Sequence, residues 1–290
     1  MVKRLLSANA SEIVEMTATE LKQSIKASDG RVVLSENVVT RTPVIPDITN
    51  AELARAFGAD LILLNGLDAF DPKVVNVDED KQVINDLSVN LEPVDETATM
   101  SEEKLNIVEG RQASSKTVKA LEKLGINFIC MTGNPGTGVT NDKIVNAISE
   151  TRKHFTGLII AGKMHSAGVD EPVITETYVD QFIDAGADII LVPSIGTVPG
   201  FDEEQLKNIV KAVHRREGLV MSAIGTSQES SDPSTIRDFA IRNKICGVDI
   251  QHIGDAGYCG LAPVNNIFEL SKAIRGERHT VSMIARSIQR

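Results

Sequence analysis

Lys163 closes the apolar run GLIIAGK (Gly157 to Lys163), and His165 follows two residues later. A lysine at the end of a buried strand is costly unless it is ion-paired or works uncharged, as a general base or Schiff-base nucleophile does. In alternating strand geometry Lys163 and His165 point the same way. His165 and Glu92 could then shuttle protons for a reaction at Lys163; the plain alternative is a lysine anchored by Glu92 or Glu36. His252 and Asp255, at and just past a later apolar run, add a further acid–base pair. Against that stand a core histidine and a turn-stabilising aspartate.

Glycine-rich turns follow several apolar runs: GNPGTGVT (Gly133 to Thr140), IGTVPG (Ile195 to Gly200), IGTS (Ile224 to Ser227) and IGDAGYCG (Ile253 to Gly260). Glycines let backbone N–H groups approach an anion. The last two turns offer Gly225, Thr226, Ser227, Gly254, Ala256 and Gly257 as a phosphate cup, unless their glycines serve only tight turns. GNPGTGVT is not a Walker loop, because Val139 and Thr140 follow its last glycine where a lysine is needed. Asn65, Asn90, Asn134 and Ser194 sit where they could orient a substrate. Glu36 and Glu92 could hold a hard cation such as magnesium, which takes one or two carboxylates with water and substrate oxygens. No spacing is diagnostic, so no cofactor is firmly implied.

These residues need a scaffold that brings them together. Eight apolar runs recur at a spacing of about 30 residues: Arg31 to Glu36, Asp60 to Asn65, Leu87 to Glu92, Ile126 to Thr132, Gly157 to Lys163, Asp188 to Pro193, Leu219 to Ile224 and Gly247 to His252. Most are continuously apolar, as strands covered on both faces are. Helical spacing lies between them, over Asn50 to Phe57, Ser115 to Leu124, Asn141 to His154, Glu176 to Ala185, Asp202 to Arg215, Pro233 to Asn243 and Val264 to Ile274. Thr49, Thr140 and Asp232 stand where N-caps belong, and Gly58, Gly125 and Gly186 where a positive φ ends a helix. FGADLILLN (Phe57 to Asn65) and AGADIILVP (Ala185 to Pro193) repeat one helix-to-strand joint. The pattern predicts an α/β fold, a (β/α)8 TIM barrel, with an open doubly wound sheet as the alternative. In the barrel, strand C-termini and the following loops form the active-site face, which is where the residues above fall.

The 290 residues then make one barrel domain, with an extra N-terminal helix within residues 1–28, predicted over Ser7 to Ala27, and an irregular segment over residues 68–103. That segment holds eleven acids and two lysines, and so most of the net charge of −10. The overall acidity therefore marks one unit and does not argue against an anionic substrate. It does argue against nucleic acid as a partner. No Trp, two Tyr and eight Phe leave a core of aliphatics. Cys130, Cys246 and Cys259 form no CxxC pair, which suits a reduced cytoplasm. No run is long enough for a membrane helix, so no membrane partner is expected. A small anionic molecule and further copies of the chain in a homo-oligomer are the partners left open.

The phrases VLSENVV (Val33 to Val39), NAELARAFGADLILLN (Asn50 to Asn65), VNLEPVD (Val89 to Asp95), MTGNPGTGVTN (Met131 to Asn141), AGKMHSAG (Ala161 to Gly168) and HIGDAGYCG (His252 to Gly260) resemble a family of little-characterised bacterial (β/α)8-barrel proteins. Its members are labelled phosphoenolpyruvate phosphonomutase-like or haloacid dehalogenase-like hydrolase. The resemblance implies the barrel and a site at its mouth. The chain lacks the Lys-Lys-Cys-Gly-His type loop of phosphonomutase and isocitrate lyase relatives. The nearest approach to the dehalogenase Asp-x-Asp motif, VDEDKQ (Val77 to Gln82), lies mid-chain with Gln82 where Thr or Val belongs. The expectation is an enzyme acting on a small phosphorylated or carboxylated metabolite by lyase or isomerase chemistry. Lys163 would act as base rather than Schiff base, since aldolases of this fold usually carry that lysine on strand six. A magnesium-dependent phosphonomutase-like or C–C lyase and a non-catalytic sugar-phosphate-binding barrel are the alternatives.

Overall fold

The computed structural model describes residues 2–75, 77, 88–100 and 103–286. Its strands β1 (Val32–Val38), β2 (Leu61–Asn65), β3 (Ser88–Leu91), β4 (Phe128–Met131), β5 (Leu158–Gly162), β6 (Ile189–Pro193), β7 (Leu219–Ile224) and β8 (Ile250–Ile253) pair in parallel in chain order. β1 also pairs with β8, with Leu34 opposite His252, and the sheet closes. The fold is a (β/α)8 barrel, not an open sheet. β1 carries Glu36 and Asn37 but no Asp-x-Asp, so the haloacid dehalogenase label finds no support.

Side-chain alternation divides the strands into two apolar sets. Leu34, Leu63, Cys130, Ile160, Leu191, Met221 and Ile250 pack together inside the barrel. Their neighbours Leu64, Val89, Ile129, Ile159, Ile190 and Val220 pack outward with the helices. Continuing the inward positions towards the strand C-termini gives Glu36, Asn65, Asn90, Thr132 and His252 on one side, and Gly162, Pro193 and Ala223 on the other. The mouth is therefore polar over β8 and β1 to β4, and lined by small groups over β5 to β7.

The helices are α1 (Ala10–Val14), α2 (Ala18–Lys26), α3 (Asn50–Ala56), α4 (Ser115–Lys123), α5 (Asn141–Arg152), α6 (Glu176–Ala185), α7 (Glu203–Arg215), α8 (Pro233–Cys246) and α9 (Val264–Ala285). Thr49, Thr140 and Asp232 cap α3, α5 and α8 through their side chains, while Gly58, Gly125 and Gly186 all have positive φ. The single N-terminal helix expected over Ser7 to Ala27 is two. Thr17 is extended and forms a capping box with Glu20, which starts α2 afresh. α2 sends Leu21 and Ile25 into the cluster holding Val32, Phe128 and Leu158 at the strand N-termini. α8 runs to Cys246, past the expected Asn243, because Gly247 with φ 94° supplies the stop, and β8 starts at Ile250 rather than Gly247. α9 continues to Ala285 across a break at Gly276. Within the acidic segment, Asn76, Asp78 to Leu87, Ser101 and Glu102 lie outside the described residues, and with them most of the dehalogenase-like phrase and the first residue of the expected third strand.

Two strand ends differ from expectation in ways that decide the site. β1 continues to Val38 because Asn37 and Val38 pair with Leu64 and Asn65, so Glu36 lies within the barrel wall. β5 stops at Gly162, whose φ of 147° takes the chain out of strand geometry. A Cβ at Gly162 would lie 2.0 Å from the Leu191 carbonyl oxygen of β6. Gly162→Ala must therefore push backbone from backbone, and urea denaturation should show a loss on the order of 3 kcal/mol or more. An unchanged midpoint would show that the barrel relaxes around the methyl group.

Candidate active site

The mouth encloses a cavity of about 410 Å³. Its wall includes Glu36, Thr132, Asn134, His165, Gly225, Thr226, Ser227, Glu229, Gly254, Asp255 and Ala256. These come from the C-terminal ends or following loops of β1, β4, β5, β7 and β8, the face on which barrel chemistry sits.

Two chains of hydrogen bonds reach this wall. In the first, Asn90 Nδ2 donates to Glu36 Oε1, and His252 Nε2 lies 3.0 Å from Glu36 Oε2. The contact puts the proton on Nε2 when the ring is neutral. His252 is fully buried and Glu36 is 3 % exposed. In the second, Arg111 and Asn134 both donate to Glu92 Oε1, at 2.6 and 2.8 Å. Asn65 Nδ2 lies 3.5 Å from Asn134 Oδ1 and donates to Asp255 Oδ2 at 2.8 Å.

Asp255 is the most perturbed carboxyl of the mouth. Withdrawal from solvent, with the negative charge of Glu36 nearby, pushes its pKa from 3.8 up to about 7, against the stabilising Asn65 bond. Burial likewise raises the carboxyls of Glu92 and Glu229. Asp255 thus switches charge close to neutral pH, as a group that takes and returns protons must.

Other expected residues are used differently. Lys163 does not line the cavity. It is fully buried and its Nζ sits 2.5 Å from Glu171 Oε1, which also accepts the Asn141 N–H at the start of α5. His165 does line the cavity, and its Nδ1 accepts the Ala167 N–H at 3.0 Å. The two side chains part because strand alternation ends at Gly162, before either of them. Ser194 is buried and accepts from Asn243 Nδ2 of α8 at 2.6 Å; alternation turns Pro193 inward and Ser194 out. Gly257 is not on the cavity wall, and a Cβ there would meet the Leu261 carbonyl oxygen.

The β7 and β8 loops are also only partly free for an anion. Glu229 Oε1 accepts the Ala256 N–H at 2.9 Å, and a Cβ at Gly254 would lie 2.5 Å from that oxygen. Gly254 thus makes room for a carboxylate of the protein itself. Thr226 gives its hydroxyl to the Thr197 carbonyl or to Gln228. Thr226 and Ser227 both have positive φ, and within the described residues neither backbone N–H meets a protein acceptor. With Gly225 beside them on the wall, these amides are the part of the expected cup that meets no protein acceptor among the described residues. Glu229, Arg111 and Glu171 escaped the sequence reading.

Residues 6–290 match the family described as a domain of unknown function, DUF7916. The chain belongs to this family. No curated protein matches it in sequence. Among solved structures, the DUF7916 chain is similar to 2,3-dimethylmalate lyase, described as a PEP mutase/isocitrate lyase superfamily member, at 13% identity and a TM-score of 0.48, over 82% of this chain and 81% of that one. It is similar to a putative lyase/mutase from Burkholderia cenocepacia J2315 at 14% identity and a TM-score of 0.49, over 86% and 83%. Oxaloacetate acetylhydrolase follows at 15% identity and 0.47, over 82% and 80%. Likeness at this level leaves the chemistry of the DUF7916 barrel to its own residues.

Both oxygens of Glu36 are engaged, by Asn90 and His252, while Glu92 belongs to the other chain with Arg111. Among the described residues no group of three or more His, Cys, Asp or Glu side chains is gathered to hold a metal ion. Nor is any helix among the described residues of this DUF7916 chain long and apolar enough to cross a membrane.

Proposed function

We propose that the protein is an enzyme that moves protons on a small carboxylated or phosphorylated metabolite, by lyase or isomerase chemistry, with Asp255 as the acid–base group. The observation that carries this reading is a carboxyl with a pKa of about 7 on the wall of the mouth cavity, held by Asn65. A side chain that titrates at working pH can both accept and return a proton. His165 and Glu36 face the same cavity, while His252 lies behind Glu36 and fixes its carboxylate. The anionic end of the substrate would rest on the N–H groups of Thr226 and Ser227. Lys163 acts from behind the wall, holding the loop that carries His165.

Three carboxyls on one wall repel an anion unless some are protonated. An anion close to Asp255 raises that group's pKa further, so binding takes up a proton. The sign follows: affinity is highest below pH 7 and falls as pH rises through the Asp255 pKa, by up to about tenfold per unit. Calorimetric titration of pyruvate and of inorganic phosphate from pH 6 to 9, in buffers of different ionisation heat, reads both affinity and proton uptake. Binding of either probe without proton uptake would overturn the role given to Asp255. Failure of both to bind would overturn the anionic substrate.

A further inference from the structure

Glu229 lies in the loop after β7 and is 2 % exposed, yet it forms part of the cavity wall. Its Oε1 is occupied by the Ala256 N–H, whereas Oε2 is buried and has no hydrogen-bond partner within the described residues. A buried carboxyl oxygen left without a partner is costly, and more so when charged. The cost is not an accident of a loose loop. The Glu229 backbone carbonyl accepts from Asn266 Nδ2 at 2.8 Å, Asn266 is itself buried, and Gly254 clears the space in which the carboxylate sits. The side chain is therefore fixed with one oxygen satisfied by protein and the other without a partner among the described residues. Across the mouth, Thr132 Oγ1, on the same wall, also has no partner.

We propose that Glu229 selects the ligand: its free oxygen Oε2 accepts the hydrogen of a ligand hydroxyl, so the cavity takes a metabolite bearing a hydroxyl group beside its anionic group. This rests on the reading of the cavity as a site for a small anionic metabolite. A hydroxyl fits the place better than a second anionic group, because it donates to Oε2 and adds no charge to a wall that already carries Glu36 and Asp255. A phosphate on Ala256 is disfavoured for the same reason, since the Glu229 carboxylate already holds that amide.

Glu229→Gln is the informative variant. Its amide oxygen can keep the Ala256 N–H, while its NH2 group replaces the free acceptor with a donor. Two matched pairs serve as probes, glycerate with propionate and glycerol 3-phosphate with propyl phosphate, measured by calorimetric titration against the full chain. The folded protein should bind the hydroxylated member of at least one pair about tenfold more tightly or better, and Glu229→Gln should abolish that preference while still binding the anions. Equal binding of both members to the unaltered protein, or a preference that survives in Glu229→Gln, would overturn the assignment of Glu229 alone. If no probe binds, the anionic-metabolite reading falls and this inference with it. Thermal unfolding of Glu229→Gln, expected within a few degrees of the parent, separates lost recognition from lost fold.

Discussion

Asp255→Asn is expected to lower turnover by about 10²- to 10⁴-fold, the usual worth of a general acid or base, and to make the folded protein more stable above neutral pH. The two effects have one cause. The carboxyl is held at about 7 by loss of solvent and by the charge of Glu36, whereas in the unfolded chain it titrates near the ordinary aspartate value of 3.8. Below the unfolded pKa both states carry the proton and nothing is lost. Between about 4 and 7 the folded state holds a proton that the unfolded state has released, so folding stability declines as pH rises through that window. Above 7 the full penalty remains, on the order of 4 kcal/mol for Asp255 and its neighbours together. An asparagine there keeps an oxygen for Asn65 Nδ2 but cannot ionise, so its denaturation midpoint should stay flatter from pH 4 to 8 and exceed the parent's at pH 8. Denaturant titrations at these pH values test the linkage without a substrate. A variant that loses activity but keeps the parent's pH dependence of stability would show that Asp255 is not the titrating group.

The barrel was legible because its determinants are local. Apolar runs such as DIILVP and caps such as Thr49 depend only on residues a few positions apart, and the observed strand and cap match them. The polar half of the mouth was legible for a related reason: once the strands are placed, Glu36, Asn65, Asn90 and His252 must converge. What lay beyond the last strand residue was not. The direction of Lys163 depends on the φ of Gly162, and the side of Ser194 on where β6 ends. Glu229 sits in TSQESSD, a stretch whose composition suits a solvated turn. Its burial comes from Gly254, Ala256 and Asn266, at least 25 positions away along the chain. Arg111 is similar: nothing near it in sequence announces that it will meet Glu92 across 19 residues.

Lys163→Met should destabilise the barrel by about 3–5 kcal/mol, because it strips the cation from a tight ion pair and leaves the Glu171 carboxylate facing a buried apolar chain. The Lys163 side chain is fully buried and that of Glu171 is 19 % exposed. Burial lowers the lysine pKa, and the bond and charge of Glu171 oppose that fall, so the ammonium depends on its partner as the carboxylate depends on it. Lys163→Met combined with Glu171→Gln removes both charges at once. The glutamine oxygen can still accept the Asn141 N–H that Glu171 accepts at 2.8 Å, so the double variant should recover most of the loss, as buried pairs replaced together often do. A double-mutant cycle on urea midpoints measures the coupling directly. A catalytic lysine predicts something different. Borohydride added with a carbonyl-bearing ligand should leave Lys163 unlabelled if it is a structural cation behind the wall, and should trap it if Nζ reaches the substrate. Additive single variants together with a labelled Lys163 would restore that residue to the chemistry. Strong coupling without label would leave it as the anchor of the loop from Met164 to Gly168, through which it sets the position of His165.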